Sequence, residues 1–194
     1  MGQRLNLEIK RNGELLANAY YHWSGYTSSV LELIEQVLIA IPTVKEQYPV
    51  LQAVRLLEAT NAGMNIGEKD YAAKTIEGFD ANQFQDPIHR NEGLISISPE
   101  GMECTQYWED ARAELDLETK TIAFGVCYWM DRDHYLKETE STDKDYESLP
   151  MSDLDISSFT FDEFENVNTF IQGLVQEREY AYRQPDNTVF LLME

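Results

Sequence analysis

Leu5, Leu7 and Ile9 alternate with Asn6, Glu8 and Lys10, and this period of two predicts a strand with one face buried. Asn12-Gly13 follows. Both residue types tolerate positive φ, so the pair is the strongest short hairpin signal in the chain. Residues 15–23 return as the second strand, and Ser24-Gly25 breaks it. The period then changes. Ser29 with Glu32 reads as a capping box, and Val30, Leu31, Ile34, Val37, Leu38 and Ile41 recur at helical spacing up to Pro42. Thr43 with Glu46 offers a second capping box, ahead of the stripe Val44, Tyr48, Leu51, Val54 and Leu57. Pro49 interrupts that stripe, and the helix restarts there with proline in its first turn. Asn61-Ala62-Gly63 supplies its stop. Residues 67–79 form a weaker helix candidate, and residues 82–91 a loop.

A β-meander is expected next. Residues 94–98 read as a short strand, Pro99-Glu100-Gly101 as a turn, and 102–107 as strand again. Residues 112–117 alternate cleanly, 118–120 turn, and 121–130 form a strand apolar enough to be central in a sheet. Residues 131–150 read as an acidic loop or mobile segment. Thr160 and Glu163 give a third capping box, and Phe161, Phe164, Val167, Ile171, Leu174 and Val175 the stripe of a C-terminal helix. Residues 184–187 are a turn and 188–193 a final strand. Strands and helices are segregated rather than alternating. The expected fold is therefore a single α+β domain over 1–194. It has a mostly antiparallel sheet, three to four helices packed on one face, and an acidic loop-rich segment around 131–158.

Charge narrows the classes of partner. The chain holds 35 Asp and Glu against 15 Lys and Arg, a net charge of −20, yet 43% of its residues are apolar, enough for a core. Nucleic acid and anionic membranes are repelled, and basic protein surfaces attracted. Residues 131–170 hold twelve acidic and three basic side chains. Asp143, Asp145, Glu147, Asp153 and Asp155 are the exposed candidates there for contact with a basic partner. No apolar run is long enough to span a membrane, and no signal peptide is visible, so a cytoplasmic location is expected. Gly2 follows Met1, but Asn6 stands where a myristoylation motif needs Ser or Thr.

Candidate chemistry is sparse. Tyr20, Tyr21, His22, Trp23 and Tyr26 form the densest aromatic cluster and suit a binding surface. His22 and Ser24 share a strand face as a possible base and nucleophile, without the third group that orients a base. Asp131-Arg132-Asp133-His134 fails as a calcium loop, because glycine is missing from the sixth position and Thr142 fills the twelfth, where Glu belongs. Cys104 and Cys127 fall in strand-like segments and read as buried small hydrophobes. A cysteine nucleophile paired with one of the three histidines remains open. Phosphate-binding glycine loops, GxSxG, HExxH and CxxC are missing, and no cofactor is expected.

The opening residues 1–9 together with 16–27, Leu-Ala-Asn-Ala-Tyr-Tyr-His-Trp-Ser-Gly-Tyr-Thr, resemble the start of small uncharacterised proteins of phages and prophages in Gram-positive bacteria. The resemblance covers the first 40 or so residues. It implies a mobile-element origin and carries no catalytic residues. Small acidic phage proteins include inhibitors of host defence, among them anti-CRISPR proteins and DNA mimics. The expected function is thus inhibition of a basic, nucleic-acid-binding host protein such as a CRISPR effector nuclease, in the host cytoplasm. A small metal-dependent hydrolase or nuclease and a phage structural or assembly factor are the alternatives.

Overall fold

The computed structural model describes residues 3–88, 92–125 and 128–193. The chain begins with the hairpin β1 (Leu5–Arg11) and β2 (Glu14–Tyr21), then α1 (Thr27–Ala40), α2 (Pro49–Glu58), β3 (Gly63–Met64) and α3 (Ile66–Thr75). The middle holds β4 (Glu92–Ser96), α4 (Pro99–Gln106), β5 (Ala111–Asp116), β6 (Thr121–Gly125) and β7 (Trp129–Met130). The last part holds α5 (Arg132–Thr139), α6 (Asp143–Glu147), β8 (Ser158–Thr160), α7 (Phe164–Glu177), β9 (Ala181–Arg183) and β10 (Val189–Leu191).

Asn12 and Gly13 both take positive φ, 52° and 80°, as a tight turn matched to strand twist requires. The main sheet runs β3-β4-β2-β1-β5-β6-β8, and a small one runs β7-β10-β9. β1 lies parallel to β5 and β3 parallel to β4; the other pairs are antiparallel. The fold is α+β. Leu5, Leu7, Ile9, Ala19, Tyr21, Ala113 and Leu115 share one buried core with the apolar stripes of α1, α2 and α7. A smaller cluster, Tyr135, Tyr146 and Val189, joins α5 and α6 to the small sheet.

The opposite face of β1 and β2 is buried too. Asn6 and Asn18 are fully buried and Glu8 is 1% exposed, although the alternating pattern assigns that face to solvent. α4 covers it. The segment 102–107, expected as strand, is therefore helix. The Ser98 side chain accepts from Gly101 N at 3.0 Å, with Pro99 in the first turn, so Ser-Pro-Glu is a helix start rather than a turn. Cys104, on this helix, is exposed rather than buried.

Other boundaries move for local reasons. α1 starts at Thr27 with Tyr26 at its cap and no side-chain cap bond, so the Ser29–Glu32 box does not form. Thr43 donates to Ala40 O and Glu46 accepts from Arg55, and α2 begins at Pro49. The long strand expected over 121–130 is divided. β6 ends at Gly125 and Trp129–Met130 pairs in the other sheet, while Val126 and Cys127 lie outside the described residues, as does His89. Residues 131–150 form two short helices instead of a loop. The Thr160–Glu163 box forms as expected, ahead of α7.

Candidate functional site

The acidic segment is exposed, and part of it is held in two short capped helices. Asp131 caps α5, its Oδ1 accepting from His134 N at 2.8 Å. Thr142 and Asp145 close a capping box on α6, in which Asp145 Oδ2 accepts from Thr142 N and Oγ1 at 2.8 and 2.6 Å. The two helices are fixed from below by Tyr135 and Tyr146, whose ring centres lie 6.2 Å apart. Tyr146 Oη donates to Asn187 O at 3.2 Å, and the Arg132 and Arg183 guanidinium groups sit over its ring.

All twelve acidic residues of 131–170 are exposed. Three of the five expected contact residues are also engaged locally. Asp143 pairs with Arg132, Asp145 belongs to the capping box, and Asp155 accepts from Ser157 N at 2.8 Å and Ser157 Oγ at 2.5 Å. The Asp145 carboxyl is held below its ordinary value by the Thr142 hydroxyl and backbone N–H, and Glu163 by the Thr160 N–H and hydroxyl. In both, these bonds favour the charged form. The carboxylates of Glu147 and Asp153 make no hydrogen bond or ion pair among the described residues, and neither do those of Glu140, Asp162 and Glu165. These five carboxylates are exposed, and Asp162 and Glu165 stand in helical first turns, where negative charge is favourable.

The aromatic segment does not form one surface. Tyr21 turns into the core, its hydroxyl bonded to Thr60 Oγ1. Tyr26 is half-buried at the α1 cap. Tyr20 and His22 point to the other face, with Tyr20 Oη and His22 Nδ1 2.9 Å apart, and Trp23 packs edge-on against His22 at 4.9 Å. Ser24 lines a separate hollow with Tyr21 and Thr60, so His22 and Ser24 are not brought into one site.

His22 instead shares an open groove of about 370 Å³ with Arg4, Tyr20, Leu94, Cys104, Thr105 and Trp108. Arg4 grips Asp110 at 2.7 and 2.9 Å and stacks over Trp108 at 5.9 Å. The Arg4 bonds outweigh burial and hold the Asp110 carboxyl below its ordinary value, and His22 acts in the same direction. Burial raises the Tyr20 phenol. Sequence reasoning missed Arg4, Asp110 and Trp108, and no local signal marks them. Arg4 and Asp110 stand 106 positions apart and meet because β1 pairs in parallel with β5.

Beneath α4 runs a charged network. Lys10 Nζ lies 3.2 Å from Glu8 and 2.7 Å from Glu114; Arg112 bonds Glu109 and lies 3.6 Å from Glu8. Gln106 donates to Glu8 at 2.6 Å, Asn18 to Thr105 at 2.9 Å and Asn6 to Glu109 at 3.0 Å. The three carboxylates here share the two cations Lys10 and Arg112, and among the described residues no group of three or more His, Cys, Asp or Glu side chains is arranged to hold a metal ion. No described helix is long and apolar enough to cross a membrane. Comparison with protein-family models, with curated proteins and with solved structures gives no match.

Proposed function

We propose that this is a binding protein that docks its acidic surface on a basic, nucleic-acid-binding protein and blocks the channel nucleic acid would occupy. The observation that carries the reading is the exposure of all twelve carboxylates of 131–170, with only Arg132, Lys137 and Lys144 among them. Capped helices hold many of these charges at set positions, so little ordering is needed on docking. Charge complementarity of this kind speeds encounter and fixes orientation, and both weaken as salt rises. The resemblance of the N-terminal segment to phage proteins makes a host defence nuclease, such as a CRISPR effector, the sharpest target. Trp23, half exposed beside His22, and Trp108 across the groove offer a second, aromatic contact.

The test is retention of the target by the tagged protein. A Gram-positive lysate containing an expressed CRISPR nuclease is passed over it and washed from about 50 mM to about 500 mM salt, a range that shortens the screening length severalfold. Release of a basic nucleic-acid-binding protein as salt rises supports the proposal. Retention of nothing even at the lowest salt removes its support.

One observation favours a second reading. His22 and Cys104 line the same groove, and a thiol hydrolase draws its nucleophile and base from such a pair once they come within hydrogen-bond reach. Alkylation of Cys104 that slows in His22→Ala would favour it; equal rates in the two proteins would not.

A further inference from the structure

The helices are held in two ways. α1, α2 and α7 each bury four or more apolar side chains, such as Ile34, Leu57 and Ile171. α4 buries none. Its attachments are polar throughout. At its start, Glu68 accepts from Ile97 N and Ser98 N at 2.8 Å and from Ser98 Oγ at 2.7 Å. At its end, Thr105 and Gln106 bond Asn18 and Glu8, and Glu109 just beyond bonds Asn6. Open grooves flank it on both sides, about 370 Å³ beside Arg4 and His22 and about 470 Å³ beside Glu68 and Tyr71, and Cys104 lines both.

Water replaces hydrogen bonds nearly one for one, whereas nothing replaces buried apolar area. Lifting α1 would expose Val30, Leu31, Ile34 and Val37. Lifting α4 exposes Asn6, Glu8 and Asn18, which water solvates well, and it supplies a partner to Asn18 Oδ1, a buried oxygen with none. A helix that buries no side chain of its own therefore lies over a polar buried face.

We propose that α4, with the turn through Glu109, is a lid that lifts while the sheet stays folded and opens the Asn6–Glu8–Asn18 face to solvent. Lifting frees Glu8 from Gln106, Asn6 from Glu109 and Asn18 from Thr105. The inference does not depend on the acidic surface or its partner.

Two measurements test it. In hydrogen exchange on the intact protein, amides of 102–108 exchange about a hundredfold faster than those of β1 and β2, because opening is local. Equal protection of both would overturn the proposal. The second probe uses neighbouring positions on opposite faces of β2, Asn18→Cys beneath α4 and Ala19→Cys in the apolar core, each in a Cys104→Ser/Cys127→Ser background. A disulfide reagent labels the Asn18→Cys protein about a hundredfold faster than the Ala19→Cys protein if α4 lifts alone. Equal rates mean that only global unfolding uncovers either face. Exchange on the unmodified protein decides if either variant fails to fold.

Discussion

Asp116 fastens two turns at once, and replacing it measures how much that is worth. Its Oδ2 accepts from Gly13 N at 2.6 Å, and its Oδ1 from Asn12 N, Glu118 N and Thr119 N at 3.0, 2.9 and 3.1 Å. The first two donors belong to the β1–β2 turn and the others to the β5–β6 turn. Burial alone would raise this carboxyl; the four N–H groups outweigh it and hold the group at about 2. Against an ordinary value near 4, the shift is worth about 2 kcal/mol, reduced to about 1–2 kcal/mol by partial exposure to water. The folded-state value lies below the unfolded one. The contribution is therefore complete above pH ~4 and is lost as pH falls through ~4 to ~2. Asp116→Asn keeps the shape, removes the charge and turns an amide NH₂ toward N–H donors. Urea unfolding at pH 7 should place its midpoint about 0.5–1 M below the unmodified protein, for a slope of about 2 kcal/mol/M. At pH ~2 the gap between the two proteins should nearly close, and since both carry the same other carboxylates, general acid effects cancel. A gap unchanged between pH 7 and pH ~2 would refute the charge-assisted account of these turns.

Two further outcomes follow from the same structure. A Cβ on Gly63 would run into the backbone carbonyl of Asp86 and into Pro87 N, so Gly63→Ala should cost about 1–3 kcal/mol and lower the melting temperature, read by circular dichroism. With a net charge of −20, self-repulsion opposes folding, so the melting temperature should rise by several degrees as salt goes from about 10 mM to about 0.5 M, and a fall would mean that ion pairs such as Lys10–Glu114 outweigh repulsion.

Elements set by neighbouring residues were legible in the chain. Asn12-Gly13 fixes the hairpin because few other pairs take two positive φ values. Thr160–Glu163 fixes the entry to the C-terminal helix because the box closes within four residues. The same motif failed at Thr43–Glu46, where Arg55, nine residues on, takes the glutamate. Charge hid the caps at Asp131 and Thr142, so two helices read as an acidic loop. The polar side of β1 read as solvent-facing because alternation tells only that two faces differ, and α4, which covers one, is joined to it through contacts about a hundred positions apart. The groove shares this property. Its Arg4–Asp110 pair depends on β1 lying beside β5, a pairing that no local pattern encodes. The exposure of the acidic side chains of 131–170 needed no long-range contact to be foreseen, since charge at this density stays in water.

The most direct test of the acidic docking surface is the affinity of a purified CRISPR effector nuclease for two proteins. One is the unmodified chain. The other carries Glu140→Lys, Glu147→Lys, Asp153→Lys, Asp162→Lys and Glu165→Lys, positions whose carboxylates hold no structural contact among the described residues. Affinity is measured across a salt series, with circular dichroism confirming that both proteins are folded. The account predicts binding by the unmodified chain that weakens steeply with salt, and a loss of tenfold or more, about 1.4 kcal/mol, on charge reversal. Equal affinity and equal salt slope for the two proteins would contradict it.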